Sequence, residues 1–498
     1  MRIWPVSVKE VSRQVTRVVD RLTISALIPF MVGCAWFGED SQRASIMAMP
    51  EMSETLKSAR AELTSSAQWP QQDWWAVFAD PSLNRLIETA LAGNPDFKAA
   101  EARLRQSQAL VDAQAAELYP TVVANVGFSA QRYSANSVQA KFAGEDFRQL
   151  LVNPLLLRYH LDFWGQDRAA LQAAVGRSLA VAAELADARM LLAATVAAAY
   201  FDLRAANDKL ALAEHIAVDR EALSTLEQSR LTNGLSNQEP LLRARMEWHA
   251  ARQRLAGIRA EIELHKNLLA ALAGQGSDWG RTLQVEAGMT PQQIPLPTDL
   301  PLRLLARRPD LTAARLHAEA AAEEIKVAET AFYPDVNLIA FTGLHSVSLT
   351  DILLQGSSLA YAVGPSIELP LFEGGRLRAN LSHRQAAYDA AVERYNAGLV
   401  HAVQEVADAL NRWRELETRL AEQRHSLADA EQNHRLSETL NRTGLGDRAQ
   451  PLRTRIDENR ERLHLLSLEA ERRKAAVLII KALGGGYDQA INARTSTP

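Results

Sequence analysis

Cysteine is nearly missing. Among 498 residues there is only Cys34, which excludes an internal disulfide framework and every multi-cysteine metal site. A basic excess is missing as well: the net charge is -4, the pI is near 6.3, and no basic block stands out, so nucleic acid is set aside as a partner. Past the N-terminal segment no stretch of 18 or more residues is free of charge, and so no hydrophobic membrane helix is expected there. Motifs of catalysis are absent too. There is no HExxH, Walker loop, GxGxxG or GxSxG, and the 11 histidines show no metal-ligand spacing. No catalytic residue, cofactor or metal is therefore expected. What is present, 47% apolar and 23% charged residues, is the composition of a chain that folds.

The first 34 residues have the layout of an export signal. Arg2, Lys9, Arg13, Arg17 and Arg21 precede the apolar Leu22–Met31, which is too short to span a bilayer. "MVGC" then places small Gly33 before the lone cysteine. This resembles a bacterial lipobox, with residues 1–33 removed and Cys34 left as the lipid-bearing N-terminus; Met31 departs from the usual Leu. An ordinary signal peptide with an incidental cysteine is the alternative. By the same resemblance, Ala35 after the cysteine favours sorting to the outer membrane.

The sequence echoes itself at offsets of about 210 to 214 residues. "NPDFKAA" from Asn94 returns as "RPDLTAA" from Arg308, and "AELYPTVV" from Ala116 as "ETAFYPDV" from Glu329. "RLTNGLSNQEPLLRAR" from Arg230 returns as "NRTGLGDRAQPLRTR" from Asn441, and "NLLAALAGQG" from Asn267 as "VLIIKALGGG" from Val477. Four ordered matches predict two tandem repeats. The organisation expected is a signal peptide (1–33), a lipidated N-terminal segment (34–70), a first repeat (71–275), a proline-containing linker (276–298), a second repeat (299–487) and a C-terminal tail (488–498).

Each repeat reads as helix, two strands, long helix and return helix. Pro95 and Pro309 suit a first helical turn, and the helical pattern continues to Tyr119 and Tyr333, where Pro120 and Pro334 end it. Val122, Ala124, Val126, Phe128 and Ala130 then alternate with polar residues. Leu155, Leu157, Tyr159, Leu161 and Phe163 form a second alternating set with Arg158, His160 and Asp162 between them, and residues 359–369 echo it, ending on Glu368 and Leu369. From Gln166 to about Arg230, and from Arg376 to about Asn441, no proline interrupts the helical pattern; at 1.5 Å per residue such rods are on the order of 100 Å long. Val392, Leu399, Val406, Trp413 and Leu420 recur at the coiled-coil spacing. Trp74 and Trp75 are expected to pack the N-terminal segment on the helices rather than to form a sugar platform.

Four amphipathic strands per chain leave open edges that a bilayer does not tolerate, so the sheet has to close with other copies. Polar residues on the second face, such as Arg158, His160, Asp162 and Glu368, suit a water-filled lumen and favour three copies and twelve strands over two. The fold class expected is mainly α with a membrane β-barrel.

The residues "MVGC", "WWAVFADPSLNRLIETAL", "NPDFKAAEARL", the two Tyr-Pro junctions, "LDFWGQDRAAL", "PLFEGGRLRANL" and the two Gly-Leu turns resemble, in order, the TolC-like outer-membrane efflux factors, lipoprotein branch. The resemblance implies a homotrimeric channel anchored in outer-membrane lipid. It would dock through a periplasmic adaptor (membrane fusion) protein to an inner-membrane pump of the resistance-nodulation-division or major-facilitator type. By position, Thr232, Asn233, Gly234 and Leu235, with Thr443, Gly444, Leu445 and Gly446, would be the adaptor-contacting tips. Arg243, Arg245, Arg453 and Arg455 would line the tunnel constriction and favour acidic compounds if unpaired; pairing with Glu239, Asp457 or Glu458 is the alternative. Tyr119, Pro120, Tyr333 and Pro334 would mark the helix-to-barrel junctions. A periplasmic lipid-anchored coiled-coil scaffold, or the exit duct of a type I secretion system, are the other functions open to such a sequence.

Overall fold

The computed structural model describes residues 43–51, 54, 65–66, 69–136, 140–144, 146–285, 296–297, 307–347 and 358–488. Cys34, residues 286–295 and 298 of the linker, and residues 489–498 lie outside the described residues. The chain divides into two compact units, each assembled from separated stretches. One holds Val111–Ala174 and Glu319–Ala390 with the chain up to Ser45; the other holds Ile46–Leu110, Val175–Ala318 and Ala391–Pro498.

The first unit carries a four-stranded antiparallel sheet of β1 (Thr121–Arg132), β2 (Asp146–His160), β3 (Asp335–Ser346) and β4 (Leu359–Glu368), in that order. β2 pairs with β3, Leu157 opposite Ala340, although a long helical excursion separates them in sequence. The alternation places Val122, Leu157, Ala340 and Val363 on one face and Thr121, Arg158, Ile339 and Gly364 on the other. Arg158, His160 and Glu368 share that second face, as expected, but Asp162 does not: β2 stops at His160 and Asp162 lies in the turn beyond it. β2 also starts earlier than its alternation predicts. The register shifts beside Asn153 and Pro154 on both of its flanks, because proline has no N–H for the ladder and is accommodated at a bulge.

The helices preceding the strands are α2 (Pro95–Ala116) and α5 (Pro309–Thr330). Both end three residues before the expected Tyr119 and Tyr333. Tyr119 N–H donates to Ala116 O and Tyr333 N–H to Thr330 O, each at 3.0 Å, so one tightened turn separates helix from proline.

The second unit is helical. It includes α1 (Pro81–Gly93), the greater part of α3 (Gln166–Thr232) and α6 (Arg376–Arg442), and the return helices α4 (Gln238–Leu272) and α7 (Gln450–Ala482). The heptad residues Val392, Leu399, Val406, Trp413 and Leu420 are all buried, the last four in one core with Tyr200, Phe201 and an alanine-rich face of α3. Trp74 and Trp75 join this core beside Phe78 rather than facing solvent, their rings edge to face with centroids 5.7 Å apart. Buried Asp80 caps α1 through Ser82 and Leu83 N–H and accepts from Tyr200 Oη at 2.9 Å.

The residue ahead of each first-turn proline is tied down in the same manner. Asn94 Nδ2 donates to Leu272 O at 3.0 Å and Arg308 Nη1 to Ala482 O at 3.2 Å, so each joins the C-terminal end of a return helix. Gly484, at φ 93°, lies so close to the Arg307 carbonyl that a Cβ would collide with it.

Candidate functional site

The two helix turns named as tips are built alike, and the cause is local. α3 ends at Thr232; Asn233 N–H donates to Ser229 O, Gly234 N–H to Leu231 O, and Leu235 N–H to Arg230 O at 2.8 Å. α6 ends at Arg442, and Thr443, Gly444 and Leu445 donate to Thr439, Asn441 and Leu440 O. The long bond from Leu235 or Leu445 is the Schellman closure, which needs a left-handed residue before it; Gly234 (φ 70°) and Gly444 (φ 75°) supply it. The closure turns Leu235 and Leu445 out to solvent, 73% and 81% exposed. Asn237 Oδ1 then accepts from Glu239 N–H and caps α4, whereas Asp447 Oδ1 accepts from Ala449 N–H in the turn ahead of α7, whose own N-cap residue, Ala449, offers no side-chain acceptor. Gly446 follows in the second turn.

The four arginines are not free charges. Arg243 pairs with Glu239 at 2.7 Å, one helical turn away, both side chains exposed. Arg245 donates to Gln228 Oε1 at 2.8 Å. Arg453 lies 3.8 Å from Glu227. Arg455 grips both carboxylate oxygens of Asp219, with Nε to Oδ2 at 2.8 Å, and this hydrogen bonding holds its guanidinium above its ordinary pKa. The acids that hold Arg453 and Arg455 are buried, whereas the arginines are half exposed. Arg243, Arg453 and Arg455 are thus members of ion pairs, which weakens the outward field of each, while Arg245 keeps its full charge on a neutral amide.

Sequence reading missed Asp219 and Glu227. A signal was present: Ile216, Asp219, Leu223 and Glu227 step along α3 by three or four residues, a stripe meant for burial, and acids on such a stripe require partners. Ile216 and Leu223 pack with Ile456 and Leu463 of α7, the same helix that supplies Arg453 and Arg455.

At the end of the sheet where the helices begin, Tyr119 is exposed and Tyr333 stacks on Trp164 with ring centroids 4.9 Å apart. The Pro334 carbonyl accepts from Trp164 Nε1 at 2.8 Å. His160 lies between Asp167 (2.5 Å) and Asp335 (3.2 Å), joining the end of β2 to β3 and the first turn of α3. No group of acids and histidines among the described residues could hold a metal ion.

The family model described as outer membrane efflux protein matches this chain twice, over residues 86–275 and 300–485. The chain belongs to the outer membrane efflux protein family. That family is one of transport conduits rather than enzymes. This efflux protein is 31% identical over 488 residues to the multidrug resistance outer membrane protein MdtP of Escherichia coli O6:H1, covering 96% of this chain and 99% of MdtP. Among solved structures it is similar to the outer membrane protein VceC of Vibrio cholerae, with a TM-score of 0.76, 31% identity, and coverage of 84% of this chain and 100% of VceC. It also shares the fold of the CmeC outer membrane channel of Campylobacter jejuni, with a TM-score of 0.81 at 18% identity over 92% of this chain and 97% of CmeC.

Proposed function

We propose that this chain is the outer-membrane channel of a tripartite efflux system that exports small toxic compounds or drugs. Three copies close a twelve-stranded barrel, and their long helices continue as a tunnel through the periplasm. The turns at Thr232–Leu235 and Thr443–Gly446 meet a periplasmic adaptor joined to an inner-membrane pump, and Cys34 carries the lipid anchor once residues 1–33 are removed. Arg243, Arg245, Arg453 and Arg455 stand at the constriction, all but Arg245 as members of ion pairs, and Tyr119, Pro120, Tyr333 and Pro334 mark the base of the barrel. The chain is organised as two repeats, at 71–275 and 299–487; the matching ties of Asn94 and Arg308 and the matching turns support a duplication.

One observation carries the reading. The sheet exposes an apolar face, with Val126, Tyr361, Val363 and Ile367 each about two thirds exposed or more, and within one chain both β1 and β4 have an unpaired edge. No described helix is long and apolar enough to cross a membrane. In water such a face would aggregate, and in lipid its open edges would leave backbone groups without partners, so closure with further copies satisfies both. The kinship with a protein named for multidrug resistance supports drugs as cargo.

The test is fractionation of cells that express the full chain. A detergent-extracted outer-membrane species of trimer size that collapses to monomer on heating supports the channel. A soluble monomer released on removal of the lipid overturns it in favour of a scaffold.

A further inference from the structure

The two return helices are equivalent by repeat but not by burial. α3 and α6 are each 67 residues long and end in the same kind of turn, so Thr232 matches Arg442, and each position of α3 and α4 matches the one 210 residues later in α6 and α7. Yet α7 buries fourteen of its 33 residues, and α4 only six of its 35. One stripe accounts for much of the difference. Ile456, Asn459, Leu463, Ala470 and Val477 are buried. Their counterparts Met246, His249, Gln253, Ala260 and Asn267 are all exposed, Met246 at 72%. Steps of three, four and seven residues place such a set on one side of a helix, at the spacing of a coiled-coil seam.

What covers the stripe on α7 is α3. Ile456 and Leu463 pack with Ile216 and Leu223, Arg455 grips Asp219, and Lys474 Nζ donates to Asp202 at 2.7 Å. The stripe on α6 that matches this side of α3 has no such cover: Ser426, Asp429, Asn433, Leu436 and Leu440 are all exposed, Leu436 at 56%. The chain therefore contains one joined seam, α7 on α3, and two open faces, on α4 and on α6, which are the repeat counterparts of the two sides of that seam. Their charges are complementary too. Arg245 stands at the position of Arg455, and its bond to Gln228 uses one of the five N–H donors of a guanidinium. Asp429 stands at the position of Asp219, and no cation pairs with it among the described residues.

Two different surfaces of one chain that fit each other make a head-to-tail contact, which closes into a ring when the rotation between copies allows. We propose that the open face of α4 in one copy packs on the open face of α6 in the next, and that Arg245 pairs there with Asp429 of the neighbouring copy as Arg455 pairs with Asp219 within the chain. The inference rests on the trimer reading above and names the surfaces that join it. Three in-chain seams then alternate with three seams between copies around the tunnel. The two kinds are not equally strong. Met246, Gln253, Ser426 and Asn433 stand where the in-chain seam has Ile456, Leu463, Ile216 and Leu223, so the seam between copies buries less apolar surface and depends more on its ion pair.

The test is crosslinking between full-length chains. A chain with Arg245→Cys and a differently tagged chain with Asp429→Cys are co-expressed, extracted in detergent and treated with a short bismaleimide. The expected product is a heat-resistant dimer that carries both tags, in higher yield than any dimer from either variant expressed alone. Arg455→Cys and Asp219→Cys placed in one chain should instead crosslink internally and give no dimer. A heat-sensitive trimer without the mixed dimer overturns the seam and leaves the channel standing, as do equal yields of dimer from either variant alone. Absence of any oligomer in the unsubstituted protein defeats the channel reading itself. Charge reversal then reads the ion pair. Arg245→Asp or Asp429→Arg alone lowers the temperature at which the trimer dissociates, and the double reversal, which restores opposite charges, recovers most of that loss. Additive losses in the double reversal overturn the pairing of Arg245 with Asp429.

Discussion

Removing Arg455 isolates a buried charge. The Asp219 side chain is 4% exposed and its arginine partner 46%, so Arg455→Ala strands a carboxylate that water reaches poorly. Breaking a fully buried pair costs about 3–5 kcal/mol, and a fully exposed pair about 0–1. With one partner buried and the other half solvated, about 2 kcal/mol is the reasonable figure, a loss of local protection of roughly thirtyfold at 1.4 kcal/mol per factor of ten. The effect is local because Arg455 lies in the first two turns of α7, whose packing on α3 is the small cluster around Ile216, Leu223 and Ile456. The assay is hydrogen exchange of the amides in Gln450–Ile456 of the full-length protein in detergent. Asp219→Asn keeps the shape without the charge, so the double variant recovers most of the protection lost in Arg455→Ala. Arg243→Ala, whose ion pair is exposed on both sides, changes nothing measurable. If the constriction assignment holds, single-channel conductance rises in Arg455→Ala and not in Arg243→Ala. Wild-type protection in Arg455→Ala, or strictly additive effects in the double variant, would refute the reasoning.

Three further outcomes follow from burial. Asp80→Ala removes the α1 cap and leaves the Tyr200 hydroxyl short of an acceptor, at a cost of about 3 kcal/mol; thermal unfolding reads it, and Asp80→Ser recovers the cap share alone. Burial, together with the negative charge of Asp310, pushes Asp187 up to about 6, with Arg308 and Lys481 opposing and Glu405 adding to the shift. Its folded form therefore holds a proton that the unfolded chain releases above pH 4, so stability falls as pH rises from about 4 to 6, by up to about 3 kcal/mol. Asp187→Asn should unfold at a higher temperature than wild type at pH 7.5 and lose that slope; an unchanged slope in calorimetry counts against it. Leu399→Ala opens the centre of the helical core and costs about 2–5 kcal/mol, while Val400→Ala on the exposed side leaves the melting temperature near wild type.

What the sequence made legible depended on periodicity. A seven-residue repeat survives only if every member is sheltered alike, and Val392, Leu399, Val406, Trp413 and Leu420 are all buried. Two-residue alternation marked β1 and the second half of β2 but not its first half, where Leu150, Leu151 and Val152 run together ahead of the bulge at Pro154. The tie of the extended segment Arg43–Pro50 to α6 was not legible at all. Asp389 and Asn396 are ordinary polar residues on a helix, and their partners are the main-chain N–H groups of Ala44 and Met47, some 345 residues away. A backbone donor leaves no side-chain signature in a sequence. The arginines show the opposite error. Four of them, counted along the chain, read as four positive charges, but a charge acts by its surroundings, and Asp219 and Glu227 arrive from a helix more than two hundred residues earlier than Arg453 and Arg455. Residue type was legible and pairing was not, so of the four only Arg245, held by the neutral Gln228 amide, keeps a charge without an acidic partner in its own chain.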